Sequence, residues 1–173
     1  MTIEAGSPAP PFTLPALDGG ELSLPGDAGG LPVLLAFFRV SCDTCDMAFP
    51  YINRLREAYR DGWHLWAVSQ DAAERAAAYR DRFAITCSVL IDAPALAISR
   101  IYDPPSTPTL VLIGPEGSVE YVSEGFAKDD LNEISVRLAA RLGLAAVEVA
   151  PIDDGNPAMK PGCMARHLFP PRR

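Results

Sequence analysis

The chain has 173 residues, of which 49% are apolar and 21% charged, a balance typical of one folded domain and unlike that of a disordered chain. Its net charge of −7 argues against binding to nucleic acid or to an anionic membrane surface. The longest dense apolar run, Val33–Phe38, is far shorter than the ~20 residues of a membrane span. The first residues lack the basic and apolar regions of a secretory signal. We therefore expect a cytoplasmic protein that contacts neither nucleic acid nor membrane.

Hydrophobic periodicity and turn residues predict the secondary structure in chain order. An N-terminal arm with a small hairpin around residues 18–20 comes first. The predicted elements are then a strand at 33–38, a helix at 43–61, a strand at 63–68, a helix at 71–83, a strand at 88–91, a short helix at 95–102, a strand at 109–113, a strand at 118–124 and a helix at 129–142. Gly62 is expected to end the first helix. A turn at residues 114–117 should join the last two strands.

This order predicts an α/β fold with a mixed central sheet flanked by helices. The first strands should be parallel through right-handed crossovers, and the last two should form an antiparallel hairpin. We expect one domain over residues 1–143. Residues 144–173 contain five prolines and are predicted to form an irregular C-terminal tail.

The cysteine pair Cys42 and Cys45 follows a buried strand and opens a helix. A helix N-terminus carries free N–H groups and a partial positive charge, which favour a thiolate. A structural zinc site with four cysteine ligands would usually show two close pairs, and only one is present. The spacing therefore indicates a redox pair, although two cysteines that merely pack are the alternative.

Such a pair supports disulfide exchange in two steps. The Cys42 thiolate would attack a disulfide of the partner, and Cys45 would then attack Cys42 and release the reduced partner. We expect Cys42 to be exposed and Cys45 to be covered. Asp43 and Asp46 should oppose thiolate formation, whereas Arg39 should assist it.

Two prolines that follow this pair in the sequence bear on its geometry. Pro50 lies inside the predicted helix, where it removes a backbone hydrogen bond and favours a kink. Pro108 follows Thr107 at the start of a strand, where a missing N–H is tolerated. The residues themselves leave open whether the Thr107–Pro108 bond is cis.

These features together resemble the thioredoxin-like thiol–disulfide oxidoreductases, and within them the TlpA/ResA-like branch, which is classed with AhpC/TSA-type redoxins. The resemblance covers about residues 6–142 and is carried by residues 6–14, 34–38, 42–45, 50, 106–109 and 114–117. It implies a thioredoxin-like fold with a redox-active CxxC disulfide and a cis Pro108 that faces the cysteine pair. Thr107 would then be the edge on which a substrate chain docks as an added strand.

The resemblance also implies a role in antioxidant defence and cell redox homeostasis. The expected partners are protein disulfide or dithiol substrates and an unidentified reductant or oxidant, and no cofactor is expected. Three positions depart from the family pattern. Ser41 stands where a tryptophan is usual, Asp43-Thr44 separates the cysteines where a proline is frequent, and Ala48 replaces a frequent glutamate.

Two other functions stay open at this point. A peroxiredoxin would need Thr or Ser three residues before its reactive cysteine, and Arg39 occupies that position before Cys42. A thiol peroxidase that uses Cys42 is therefore the less favoured enzyme. The third alternative is a binding module that kept the fold without turnover.

The other two cysteines differ in context. Cys87 precedes a strand and is best interpreted as a small apolar filler. Cys163 lies in the proline-rich tail, which is either frayed or delivers an additional redox thiol to Cys42. The basic neighbours Lys160, Arg166 and His167 would favour its thiolate. His167 is only a weak candidate for a metal ligand, and no metal site is expected.

Overall fold

The computed structural model describes residues 2–170. Its strands are β1 (Phe12–Pro15), β2 (Glu21–Leu24), β3 (Val33–Phe38), β4 (His64–Ser69), β5 (Ser88–Ile91), β6 (Ser106–Thr107), β7 (Thr109–Ile113), β8 (Val119–Glu124), β9 (Phe126–Ala127), β10 (Met159–Lys160) and β11 (Cys163–Met164). Its helices are α1 (Asp43–Ala58), α2 (Ala73–Arg82), α3 (Ala97–Tyr102) and α4 (Lys128–Leu142). Short 3-10 helices lie at Gly26–Ala28 and Arg166–Leu168.

The central sheet has five strands in the order β5-β4-β3-β7-β8. The strands β3, β4 and β5 are parallel, whereas β7 is antiparallel to both β3 and β8. The predicted mixed α/β sheet is therefore confirmed, including its parallel start and its terminal hairpin. None of the helices within residues 2–170 is long and apolar enough to cross a bilayer.

The central strand β3 is buried on both faces of the sheet, as its continuous apolar run predicts. Alternate residues from Leu34 to Phe38 join the core beneath α1, α2 and α4, and those from Val33 to Phe37 join the core on the opposite face. The second core is closed by the N-terminal arm and α3. Strand β3 leads directly into the short loop that carries Cys42.

The predicted N-terminal hairpin is confirmed, because β1 and β2 pair antiparallel from Phe12↔Leu24 to Pro15↔Glu21. The predicted end of the first helix is wrong. Helix α1 ends at Ala58, and Tyr59 adopts an extended conformation. The chain leaves the helix at Tyr59, whose buried hydroxyl lies 2.8 Å from Ser135 Oγ, before Gly62 is reached.

The C-terminal segment, residues 144–170, contains little regular structure, as predicted, but it is fixed to the domain. Asn132 of α4 accepts from the N–H groups of Val149 and Ala150 at 3.0 Å each. Farther along, the buried Lys128 ammonium donates to Asp154 at 2.6 Å. A frayed tail is therefore excluded for this segment.

Candidate active site

The two cysteines of the pair sit at the junction of β3 and α1. Cys42 is the residue before the helix, with φ −134° and ψ 105°, and its sulfur accepts a hydrogen bond from the Cys45 backbone N–H at 3.2 Å. Sulfur thus takes the capping role that oxygen side chains usually have at a helix start. The sequence arranges this locally, because the apolar strand ends and the helix begins within five residues.

The loop before β7 brings Thr107 and Pro108 to the same place. The Thr107–Pro108 peptide bond is cis, as the resemblance implied. The Cys42 sulfur lies 3.1 Å from the Thr107 carbonyl oxygen, to which its thiol donates when it is protonated. The structure therefore brings together Cys42, Cys45, Thr107 and Pro108, the four residues that the sequence analysis selected.

The two thiols have opposite acidities. The pKa of Cys42 is lowered to about 5, first by a hydrogen bond from the Cys45 side chain, and then by one from Cys163. Burial raises the pKa of Cys45 well above its ordinary value. These opposite shifts favour the thiolate form of Cys42 and the thiol form of Cys45.

The neighbouring charges act differently from the sequence-based expectation. Lys160 pairs with Asp43 at 2.8 Å and lowers the pKa of that carboxyl, so Asp43 is compensated beside the thiolate. The Arg39 guanidinium donates to Ser41 at 3.3 Å and lies 5.1 Å from the centre of the Phe169 ring, and its expected assistance to the Cys42 thiolate stays a prediction.

The expectation that Cys42 is exposed is also wrong. Only 1% of Cys42 is accessible. The physical reason is the C-terminal segment, which crosses the site and adds β11 to β6 in an antiparallel pair, with Cys163 opposite Thr107. The Cys163 thiol itself is half-buried and lies 3.5 Å from Asp43 Oδ1.

Two buried residues that the sequence analysis did not select support this arrangement. Asp71 accepts from the Val40 N–H at 2.8 Å and also pairs with Arg166. Gln70 accepts from the Arg166 backbone N–H at 2.7 Å. The sequence could have indicated them, because two polar residues follow the apolar strand β4 directly. In α/β sheets the functional residues usually lie at the carboxyl ends of the strands.

The remaining candidates lie apart from this chemistry. Cys87 packs against the core, and burial raises the pKa of its thiol to about 12, in agreement with a filler role. His167 contacts Asp103 at 3.2 Å. Across the described residues 2–170, no cluster of three or more His, Cys, Asp or Glu could hold a metal ion.

A helix-capping CxxC pair beside a cis-proline loop, on a sheet of this topology, defines the class of thioredoxin-like thiol–disulfide oxidoreductases. The chain belongs to the AhpC/TSA family, whose model matches residues 5–122. It is 32% identical over 127 residues to the thioredoxin-like protein YneN of Bacillus subtilis (strain 168), which covers 71% of this chain and 73% of that protein.

Solved structures support the same fold. A Chlorobium tepidum protein described as a thiol:disulfide interchange protein DsbE has 28% identity and a TM-score of 0.74, with 82% of this chain and 100% of that chain covered. The thioredoxin domain of a thiol-disulfide oxidoreductase from Bacteroides vulgatus has 25% identity and a TM-score of 0.69, with 79% and 98% covered. The segment that crosses the active site lies beyond the residues matched by the family model.

Proposed function

We propose that this protein catalyses disulfide exchange on protein substrates, with Cys42 as the nucleophile and Cys45 as the resolving thiol. In the reducing direction, the Cys42 thiolate attacks one sulfur of a substrate disulfide, and the other sulfur leaves as a thiolate. Cys45 then attacks the Cys42 sulfur, and a Cys42–Cys45 disulfide forms. The proton of the Cys45 thiol passes to the departing substrate thiolate. A second thiol partner restores the pair, and the oxidising direction is the reverse.

The observation that carries this proposal is the position of the Cys42 sulfur at the start of α1, 3.2 Å from the Cys45 backbone nitrogen and 3.1 Å from the Thr107 carbonyl oxygen. The acidity difference within the pair supports it. A pKa of about 5 for Cys42 makes it the attacking group, because the thiolate and not the thiol is nucleophilic. Cys45 is inaccessible and protonated, so it reacts with the neighbouring sulfur of Cys42 and not with an outside disulfide. In the oxidising direction, the low pKa also makes Cys42 a good leaving group when a second substrate thiol attacks the substrate sulfur of the mixed disulfide.

Docking of the substrate is assigned to the Thr107–Pro108 loop. The backbone of Ser106 and Thr107 forms a strand that pairs outside the central sheet, and the Thr107 carbonyl points at Cys42. An extended substrate segment paired with this strand would place its sulfur next to Cys42. This is the added-strand mode of peptide recognition, in which main-chain hydrogen bonds supply the affinity.

The proposal is tested by reduction of insulin disulfides with dithiothreitol as the electron source. Wild type and Cys87→Ser should accelerate insulin reduction equally, whereas Cys42→Ser should lose all acceleration. A Cys45→Ser, Cys163→Ser double variant should instead accumulate a mixed disulfide with insulin through Cys42. Equal activity of Cys42→Ser and wild type would refute the assignment.

Peroxide reduction is a second candidate, because an acidic thiolate with another thiol close by could also serve it. Cys42 would take the terminal oxygen of the peroxide and become a sulfenic acid, which then condenses with a thiol to give a disulfide and water. Arg39 stands three residues before Cys42, where a peroxiredoxin would need Thr or Ser, which weighs against this chemistry. Hydrogen peroxide consumption at a rate above that of free thiols would favour it.

A further inference from the structure

The strand β11 occupies the edge that a substrate would need. It pairs antiparallel with β6 in the register Cys163↔Thr107 and Met164↔Ser106. Cys163 is thus the residue opposite the carbonyl-bearing Thr107, and its thiol is close enough to Cys42 to lower the pKa of that group. This is where a substrate cysteine would lie in the proposed docking mode.

The fit of β11 extends to backbone contact on both sides of the cysteine pair. The Thr44 hydroxyl, between the two cysteines, donates to the Pro161 carbonyl at 2.8 Å. The Thr107 hydroxyl donates to the Cys163 carbonyl at 3.4 Å. Gly162 permits the approach, since a Cβ there would lie 2.9 Å from the Thr107 oxygen and 2.7 Å from the Ser106 Cβ.

Charge and burial hold the strand at both ends. On the N-terminal side, Lys160 pairs with Asp43. On the C-terminal side, Ala165 is fully buried, and Arg166 bonds to both Gln70 and Asp71. Several independent contacts therefore hold this segment over the active site.

We propose that residues 159–168 are an intramolecular substrate strand, which docks on β6 as a protein substrate would and forms a Cys42–Cys163 disulfide. The inference rests on the proposed function and deepens it. It assigns Cys163 as a third redox cysteine and predicts that protein substrates compete with this strand for the docking edge.

The proposed chemistry begins with an external disulfide, R–S–S–R, of which glutathione disulfide is a simple example. The Cys42 thiolate attacks one sulfur, the S–S bond breaks, and one RS⁻ leaves. The Cys163 thiol then attacks the Cys42 sulfur, the Cys42–Cys163 bond forms, and the second RS⁻ leaves with the Cys163 proton. Two protein thiols are oxidised and one external disulfide is reduced to two thiols.

The same disulfide can pass to the buried pair without a further oxidant. Cys45 attacks the Cys42 sulfur, the Cys42–Cys163 bond breaks, the Cys42–Cys45 bond forms, and Cys163 leaves as a free thiol that takes the Cys45 proton. Cys163 thereby resolves the mixed disulfide that Cys42 forms with the external molecule, and the protein disulfide then passes to the buried pair. A protein substrate competes with the strand for the docking edge.

The disulfide is tested in a Cys45→Ser variant, which removes the competing thiol. The reduced variant is exposed to glutathione disulfide, quenched by alkylation and mapped by mass spectrometry without reduction. We expect a Cys42–Cys163 disulfide. A stable glutathione adduct on Cys42, with Cys163 alkylated or paired to Cys87, overturns the inference but leaves the proposed function intact. An unreactive Cys42 overturns both, and Cys45→Ala repeats the test if the serine variant is poorly folded.

The docking is tested by Gly162→Val, which should clash with Thr107 and release β11. The control is Ala146→Val, which places a valine side chain at an exposed position of the same segment. If β11 is docked in about nine molecules of ten, its release should raise the apparent affinity for insulin about tenfold and lower the yield of the Cys42–Cys163 disulfide in the Cys45→Ser background. Equal affinity and yield for both valine variants would contradict the docked strand.

Discussion

The acidity of Cys42 leads to the sharpest prediction. Lowering its pKa from 9.0 to about 5 raises the thiolate fraction at pH 7 from about 1% to about 99%, a gain of about a hundredfold. The intrinsic nucleophilicity of a thiolate falls with its pKa, with a Brønsted slope of about 0.4–0.5. A fall of four pKa units therefore lowers it by about 40- to 100-fold. The two effects nearly cancel in an alkylation rate, and the pKa has to be measured from the thiolate itself.

The assay is the thiolate absorbance at 240 nm of the fully reduced protein, titrated from pH 3 to pH 10. The difference between wild type and Cys42→Ser should show a midpoint near pH 5. Cys45→Ala should raise this midpoint more than Cys163→Ala does, because Cys45 supplies the largest stabilising hydrogen bond, and Cys87→Ala should leave it in place. A midpoint above about pH 8 would refute the reasoning.

Three further predictions concern stability. Phe38→Ala empties a fully buried site and should lower the free energy of unfolding in urea by about 3–5 kcal/mol, whereas Val136→Ala at a half-exposed helix position should change it by less than about 0.5 kcal/mol. Asp154→Asn should lower the melting temperature, unlike the same change at exposed Asp153, because it leaves the buried Lys128 ammonium without its carboxylate. Lys128 also holds the pKa of Asp154 below its ordinary value; the resulting stability is present above about pH 4 and should be lost as the pH falls further, a loss absent from the Asn variant.

Local patterns in the sequence were sufficient for the central sheet. The apolar run at Val33–Phe38 predicted a strand buried on both faces, and the structure gives β3 those same bounds. The CxxC pair and the Thr107–Pro108 loop were recognisable because each sits at a strand end, where the chemistry is set by short-range geometry.

The errors arose where residues distant in the sequence meet. Thr44 and Pro161, which are in contact, lie 117 positions apart in the sequence, and no local periodicity predicts their contact. The prolines of the C-terminal segment suggested little regular structure, which is correct, but composition carries no information about where such a segment packs. The exposure expected for Cys42 was wrong for this reason, since the covering residues come from that segment.

The role of Lys128 shows the same limit. Its charge and its position before an acidic first turn gave no reason to expect it to be buried. It is buried because Asp154 and the carbonyls of Ile152 and Asn156, all from the C-terminal segment, accept its hydrogen bonds. A buried ammonium needs such partners, and they become visible only in three dimensions.

The central claim is that Cys42 and Cys45 form a reversible redox pair, and thiol trapping with mass spectrometry across a glutathione redox titration tests it most directly. Wild type should show a Cys42–Cys45 disulfide that Cys42→Ser lacks. Its midpoint should fall between about −270 mV, the value of thioredoxin, and about −120 mV, the value of DsbA, because the pKa of Cys42 lies between the pKa values of their reactive cysteines. The absence of any Cys42 disulfide at every glutathione ratio would contradict the account.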